Sequence, residues 1–378
     1  MKIANFVGGS CPEFSPNAAA ERTKNLFPHR IEGGLGKNRA VLHRVPGLRL
    51  FSGLTGTSTR GAYEINGRAF VVGGDTLYEV ASAGTTTVRG TVIDDGLPVS
   101  FASNGDNGNQ LMLTSGGPGY IFDLSTNTFT QITDPNFAAF AVMCGFVDGY
   151  FVALDRDTSI WQISALYDGL TWDGLDTAQV SQAADKVKAF VVDNRQIWLF
   201  GRATTSVWYN SGNPSFPFEP IQQQIAQGIV APHTAKRADN SVLWLGRNEL
   251  GAGVLYRADQ YLPRRVSTHA IEQIWATYDT IEDAEAYVEQ WMGHVFYHLY
   301  VPSALTAPDQ ENRVTWTYDI ATGLWHERCL LDQATGHWTP DIGRCHMYAF
   351  EKHLIGDRRI GALYEARQDV FDDELVAA

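Results

Sequence analysis

A repeat constrains this chain more than any other feature of its sequence. The segment Arg313 to Glu327, RVTWTYDIATGLWHE, alternates Val314, Trp316 and Tyr318 with Thr315 and Thr317, which is the two-residue period of a half-buried strand. Ala321, Thr322 and Gly323 break the alternation as a turn does, and Leu324 and Trp325 resume it on a return strand. Upstream, GYIFDLSTNTFT writes the same hairpin: Phe122-Asp123 answers Tyr318-Asp319, Ser125-Thr126-Asn127 answers the turn, and Phe129 answers Trp325. Weaker copies keep one aromatic anchor. The anchors are Tyr78, Phe122, Trp161, Trp208, Tyr256, Tyr318 and Tyr364, spaced 44, 39, 47, 48, 62 and 46 residues apart. An apolar strand precedes each of them: NGRAFVV, GNQLMLT, DGYFVAL, NRQIWLF, NSVLWLG, GHVFYHLYV and KHLIGD.

Units of roughly 40 to 50 residues, each of three or four strands, have the period of propeller blades. A lone blade cannot bury its own apolar face, so the units must pack on one another around an axis. The expected fold is therefore all-β, a β-propeller of seven blades, with six as the alternative count and a sandwich of irregular strands as the competing architecture. The expected division is an extended N-terminal arm over residues 1–40 and a propeller over 41–378, with one short helical insertion near 267–280.

Composition narrows the function. Hydrophobic residues make up 44% of the 378 and aromatics 12%, enough for a large core. A formal charge of -13 argues against a protein that grips nucleic acid by its phosphates, which needs clustered Lys and Arg. No apolar run is long enough to span a membrane. Cys11, Cys144, Cys329 and Cys345 are few and irregularly spaced and read as free thiols of a reducing compartment. The start, MKIANFVGGSC, resembles a lipoprotein signal only superficially, because its apolar run is too short for an h-region.

Along the chain, the Pro- and Gly-rich residues before about 40 show no sustained period. They read as an arm that gains order from a neighbour or from the propeller rim, with Arg22, Asn25, Leu26 and Phe27 as the expected contact residues. A strand near Val41 to Phe51 is expected beside the last blade, because a strand from one terminus that completes the blade at the other leaves no unpaired edge at the seam. LYDGLTWDGLDTAQVSQAADKVK reads as a long loop on one rim, and NPSFPFEP, from Asn213 to Pro220, as a connection that ends a blade and crosses the rim. In STHAIEQIWATYDT, Ile271, Ile274, Trp275 and Tyr278 fall at helical spacing, with Ser267 or Thr268 as cap. This helix packs on its own propeller or serves a subunit contact, and the sequence leaves both open.

Several motifs hint at chemistry. SALYDGLTW, Ser164 to Trp172, half matches the Asp box of sialidase propellers, but Tyr167 stands at the Asp position and the box is a turn motif. A glycosidase needs two carboxylates across a cleft, and no spacing singles out a pair. His326, Cys329, His337, Cys345 and His346 fit no standard zinc spacing, and GGLGKNR at Gly33 lacks the strand and the Ser or Thr of a P-loop. No catalytic, metal or cofactor site is expected.

AERTKNLFPHR, then RVPGLRLF, then TRGAYEINGRAFVVGGDTLYEV, resembles the opening of the packaged-DNA stabilisation proteins of short-tailed phages, also called tail hub or nozzle proteins. The likeness continues in order through TDPNF, VDGYFVAL, QISALYDGLTWDGLD, FGRATTSVWYNSGNPSFPFEP, LWLGRNELGAG, STHAIEQI, GHVFYHLYVP, TWTYDIATGLWHER and LIGDRRIGALYEA. It departs at Val180-Ser181-Gln182, where relatives often carry Ala-Glu, and relatives can run considerably further than Ala378. The resemblance implies a structural virion protein: a homohexameric ring below the portal and its head-to-tail adaptor, holding tail fibres or spikes and closed by a needle or plug protein. Genome DNA would pass through the channel without specific binding, so an acidic or neutral lumen is expected. The implied location is the virion tail, assembled in the host cytoplasm. The alternative is a carbohydrate-binding or glycan-hydrolysing propeller with Trp172, Trp208 or Trp275 lining a pocket.

Overall fold

The computed structural model describes residues 7–376 except 14, 16, 18, 32, 34–39, 106–107, 157, 181–184 and 250. Seven antiparallel sheets follow one another along the chain. We number them as blades one to six over 59–91, 100–131, 141–179, 187–220, 236–265 and 285–340, and blade seven over 343–367 completed by Gly47–Gly53. Within blades one to six, strands pair in chain order from first to last. The first strands of neighbouring blades touch one another around the ring, so the architecture is a seven-bladed β-propeller.

All seven aromatic anchors lie on third strands, and the apolar runs before them form the second strands. These two strands have ladder partners on both edges and a neighbouring blade on each face. They therefore read as nearly continuous apolar runs. Leu111 to Leu113, Phe151 to Leu154 and Val242 to Leu245 are fully buried, as are Phe122, Trp161 and Tyr364.

The duplicated hairpin closes through one turn design. Asp123 Oδ1 accepts from the Ser125 and Thr126 amides at 2.8 Å. Asp319 accepts from the Ala321 amide at 3.0 Å and the Thr322 hydroxyl at 2.6 Å. Asn127 (φ 57°) and Gly323 (φ 71°) then take the left-handed conformation that the turn requires. A third copy, DQATG at Asp332 to Gly336, has Asp332 accepting from Ala334 and Thr335, with Gly336 at φ 71°. It turns the chain back once more and gives blade six a fifth strand, His337–Pro340.

The seam closes in the last blade, within narrower bounds than expected. Gly47–Gly53 pairs with Ala362–Arg367 as the outermost strand, while Val41 to Arg44 belongs to a hairpin of Leu26–Arg30 with Ala40–Arg44. The stretch expected as a long rim loop is instead largely Asp168–Gln179, the outer strand of blade three. An edge strand is solvated on one side and here carries two register shifts, which dilutes the two-residue alternation; Ser181 and Gln182 lie outside the described residues. NPSFPFEP likewise contributes the short outer strand Phe218–Pro220 before leaving the blade. Its Phe216 and Phe218 pack edge-on to Trp161 of blade three.

The helix spans His269–Trp275, with the Thr268 hydroxyl accepting from the Ile271 amide at 3.3 Å. It packs on its own propeller, burying Ile271, Ile274 and Trp275, the last edge-on to Trp325. Glu272 is also buried and is held by Arg265 and Ser267. All four cysteines are unpaired.

Candidate functional site

Two places gather polar groups that the blade architecture does not by itself require. The first is the outer edge of blade six. Its fourth strand, Leu324–Asp332, pairs with the fifth only from Cys329 onward, which leaves the backbone of 325–328 without a strand partner on that side. The N-terminal segment fills this edge. The Ser10 amide donates to the Trp325 carbonyl, the Glu327 amide to Thr23, and the Asn25 amide to Glu327 at 2.8 Å. The Asn25 side chain mimics a peptide, donating to the Cys329 carbonyl at 2.7 Å and accepting from its amide at 3.0 Å.

Arg22 reaches the Glu311 carbonyl, Asn312 and, at 3.2 Å, Glu327. Burial raises the Glu327 carboxyl above the usual range while Arg22 and Lys24 pull it the other way. Leu26 opens the arm hairpin. Phe27 is fully buried among His43, His294, Phe296 and His326, with ring centroids 5.1–6.3 Å away. Arg22, Asn25 and Phe27 thus lie on blade six of the same chain, whereas Leu26 pairs with Arg44 within the arm hairpin.

Beneath the arm lies a buried ionic group. Glu289 receives Arg328 at 3.0 Å and His298 at 3.2 Å. Burial opposes its charge, but the guanidinium and the imidazole hold the carboxyl well below the usual range. His298 is pushed down to about 4 by burial and by Arg328. These residues are sealed off from solvent, so they can hold the sheet but cannot meet a substrate.

The second place is one end of the propeller axis. In four blades the first strand begins with a bulge, and the extra residues are Arg60, Val142, Lys188 and Arg344. A bulge re-aims its side chain, and three of the four are basic. Arg60, with no exposed side-chain surface, donates to the carbonyls of Leu97, Gly74 and Ile93 and pairs with Asp95. Arg344 forks onto both oxygens of Glu285 at 2.7 and 2.8 Å and also reaches Ser58 and the Gly96 carbonyl. Both arginines therefore tie the 93–97 crossing between blades one and two to the axis. Sequence reading missed this mouth, because a single basic residue at the head of a polar strand has no periodic signal; the register shift appears only in the pairing.

A groove of about 1190 Å³ opens beside this mouth and has Arg344, Arg358, Arg359, Glu285, Asp332 and Asp373 among its lining residues. Three of its four carboxylates already serve the fold: Glu285 holds Arg344, Asp332 its turn, and Asp373 the Leu48 amide. Trp172, Trp208 and Trp275 are buried at 3%, 8% and 1% exposure, so none lines an open sugar pocket as the carbohydrate alternative required. The half Asp box is a hairpin turn, with Trp172 donating to the Gly169 carbonyl and Thr171 to Asp168. Among the described residues no three His, Cys, Asp or Glu side chains are placed to hold a metal, and no helix is long and apolar enough to cross a membrane.

Comparison with solved structures finds the same architecture at low identity. The extracellular domain of a one-component system of B. thetaiotaomicron superposes with a TM-score of 0.54 at 7% identity, covering 84% of this chain and 39% of that one. Virginiamycin B lyase of Staphylococcus aureus gives 0.53 at 8%, covering 82% and 94%. A chain of the mitotic checkpoint complex gives 0.51 at 12%, covering 91% and 100%. At such identities these likenesses speak for the fold alone. No curated protein matches the sequence. The family model described as "Bacteriophage P22 Gp10, beta-propeller" matches residues 22–370. From the arm on blade six to the strand that closes the seam, the chain belongs to the bacteriophage P22 Gp10 β-propeller family.

Proposed function

We propose that this protein is a wall element of a short phage tail: a hub or nozzle subunit that forms a ring, expected to be a homohexamer, and works by enclosing a passage without making or breaking bonds. The ring sits below the head-to-tail adaptor, carries fibres or spikes on its flank and is closed by a needle or plug, so that packaged DNA is retained and then guided out. The observation that carries this reading is the family match across residues 22–370. The commitment of the groove carboxylates to structural bonds supports it against a hydrolytic alternative, which needs two carboxylates poised across one bond.

A net charge of -13 per chain suits a lumen through which a polyanion must slide, since a basic wall would bind phosphates and hold the genome fast. Sedimentation of the purified chain, alone and mixed with portal and adaptor, tests the reading. The expected result is a ring-sized species that joins the portal–adaptor assembly. A monomer that never joins it, or one that cleaves polysaccharide, refutes the proposal.

A further inference from the structure

First strands that begin at the axial mouth end on the opposite face of the propeller, in the turns that lead to the second strands. In blades four and five these turns stand beside the turn between the third and fourth strands of blade five. Each of the three is two residues long, and Asn194, Arg195, Asp239, Asn240 and Gln260 all take the left-handed region at φ 46–60°, the backbone that tight hairpins demand. Between them lies a pocket of about 390 Å³, inside the range of small-molecule sites, which starts at about 300 Å³. Such sites are mostly apolar, but six of the ten residues on this wall carry an amide, a carboxylate or an aliphatic hydroxyl, and none is Lys or Arg. Asp193 is the one carboxylate; it is buried and already receives Arg237 at 2.8 Å and the Asn194 amide at 3.0 Å. The wall thus offers an anionic ligand no cation of its own. Tyr261 stacks on Trp198, with ring centroids 6.0 Å apart and planes 26° from parallel, and its hydroxyl accepts from Gln196 Nε2 at 2.7 Å. The ring is therefore fixed in place before anything binds.

These properties select among ligand classes. A side-chain amide both donates and accepts, as does every hydroxyl of a sugar, and the electron-rich face of an aromatic ring attracts polarised C–H bonds. We propose that the pocket between blades four and five binds a neutral mono- or disaccharide, with the Asn194, Asn240 and Gln260 amides on its hydroxyls and the Tyr261 ring against a C–H face. Because the turns and the ring are preformed, little has to be ordered on binding. Hydrolysis of a glycosidic bond takes two carboxylates, and with Asp193 alone on the wall the site holds a sugar without cleaving it. The site is complete within two adjacent blades of one chain, so it does not depend on the chain's assembly into a ring.

The test titrates the full chain with maltose, cellobiose, lactose and N,N′-diacetylchitobiose, followed by saturation-transfer NMR and by tryptophan fluorescence. At least one is expected to bind saturably, with an affinity that does not change when sodium chloride is added, since contacts to a neutral ligand are not screened. Tyr261→Ala is expected to weaken that binding by about tenfold, the order for losing the burial of one aromatic face. Gln260→Ala truncates an exposed amide and is expected to weaken binding by about threefold, the worth of one neutral hydrogen bond; it reads the site even where the tyrosine variant folds poorly. Tyr167→Ala, which removes an exposed tyrosine on a blade-three turn, is expected to bind like the parent. Absence of saturable binding for all four sugars, an affinity that falls with salt, or an affinity unchanged in both pocket variants overturns the proposal.

Discussion

Replacing Phe27 by alanine separates the arm from the propeller it lies on. The ring is fully buried between the arm hairpin and the His294, Phe296 and His326 side chains of blade six. Truncating such a phenylalanine costs about 3–5 kcal/mol. The blade's own ladders, Glu285–Trp291 with His294–Tyr300 and Thr315–Asp319 with Leu324–Asp332, make no use of Phe27. The loss therefore falls on the local equilibrium between docked and open arm, and raises the open population roughly one-hundred- to several-thousand-fold at 1.4 kcal/mol per decade. The reporters are the Glu327 and Cys329 amides, which donate to the Thr23 carbonyl and to Asn25 Oδ1. In Phe27→Ala their hydrogen exchange is expected to accelerate by that factor up to the unprotected rate, while amides of the second and third strands of blades two to four keep their protection. Unchanged exchange at both positions would show that the arm is held by other contacts. Equal acceleration in every blade would show that arm and propeller unfold as one unit, and either result refutes the reasoning.

Acid is expected to weaken the fold through blade six. His298 is neutral when folded, with a value near 4 against an ordinary 6.5, so its contribution is complete above about pH 6.5 and is lost as pH falls toward 4, by up to about 3 kcal/mol. His326, pushed down by burial, acts with the same sign. Denaturant melts from pH 7.5 to 4.5 should show this slope, and His298→Gln should flatten it. Gly323→Ala, at φ 71° with open space where a Cβ would stand, should cost about 1–2 kcal/mol of pure backbone strain, and an unchanged denaturation midpoint would contradict the turn assignment. Arg60→Met strands three carbonyls and Asp95 without their shared donor. It should cost about 3–5 kcal/mol, and a loss below about 1 kcal/mol, the scale of an exposed pair, would mean that solvent reaches the site.

What could be read from the sequence follows from how each strand is surrounded. Second and third strands are enclosed on every side, so Phe151 to Leu154 or Ile197 to Phe200 must be apolar and announce themselves, and the turns after the third strands of blades two and six repeat an Asp four residues before a left-handed position. First strands face the axis and need only a few apolar residues. The heads of two of them, Gly343-Arg344-Cys345 and Val187-Lys188-Ala189, look like loops until the bulged register is known. Outer strands such as Asp168–Gln179 are solvated along one edge and lose their period. DQATG could have been recognised as a copy of DIATG and would have predicted the fifth strand of blade six. The arm's docking site could not, because Asn25 meets Cys329 across 304 residues through an open strand edge that only the assembled blade creates.

That docking site also bears on how the ring of blades resists opening. Residues 22–30 lie on the edge of blade six, 40–44 return along them, 47–53 form the outer strand of blade seven, and Thr59 begins blade one. One continuous segment therefore crosses the seam over three consecutive blades. The C-terminal tail lies over it from outside: Asp373 accepts from the Leu48 amide at 2.8 Å, the Glu374 amide donates to the Leu48 carbonyl at 2.8 Å, and Arg44 donates to the Val370 carbonyl while its guanidinium stacks on Phe371. Separating blade seven from blade one requires the Gly47–Gly53 ladder and the tail's bonds to Leu48 to break together, since each shields the other's edge. Edge strands of a sheet are otherwise its weakest boundary. A propeller that only presents a binding surface needs one closing strand, whereas one that serves as a wall under outward pressure gains from a seam whose two ends are interlocked. If the wall reading is right, removing residues 368–378 should leave the melting temperature nearly unchanged but lower the force needed to open the ring in single-molecule pulling from the exposed hairpin residues Asn66 of blade one and Glu351 of blade seven. An unchanged opening force would detach the seam from that role.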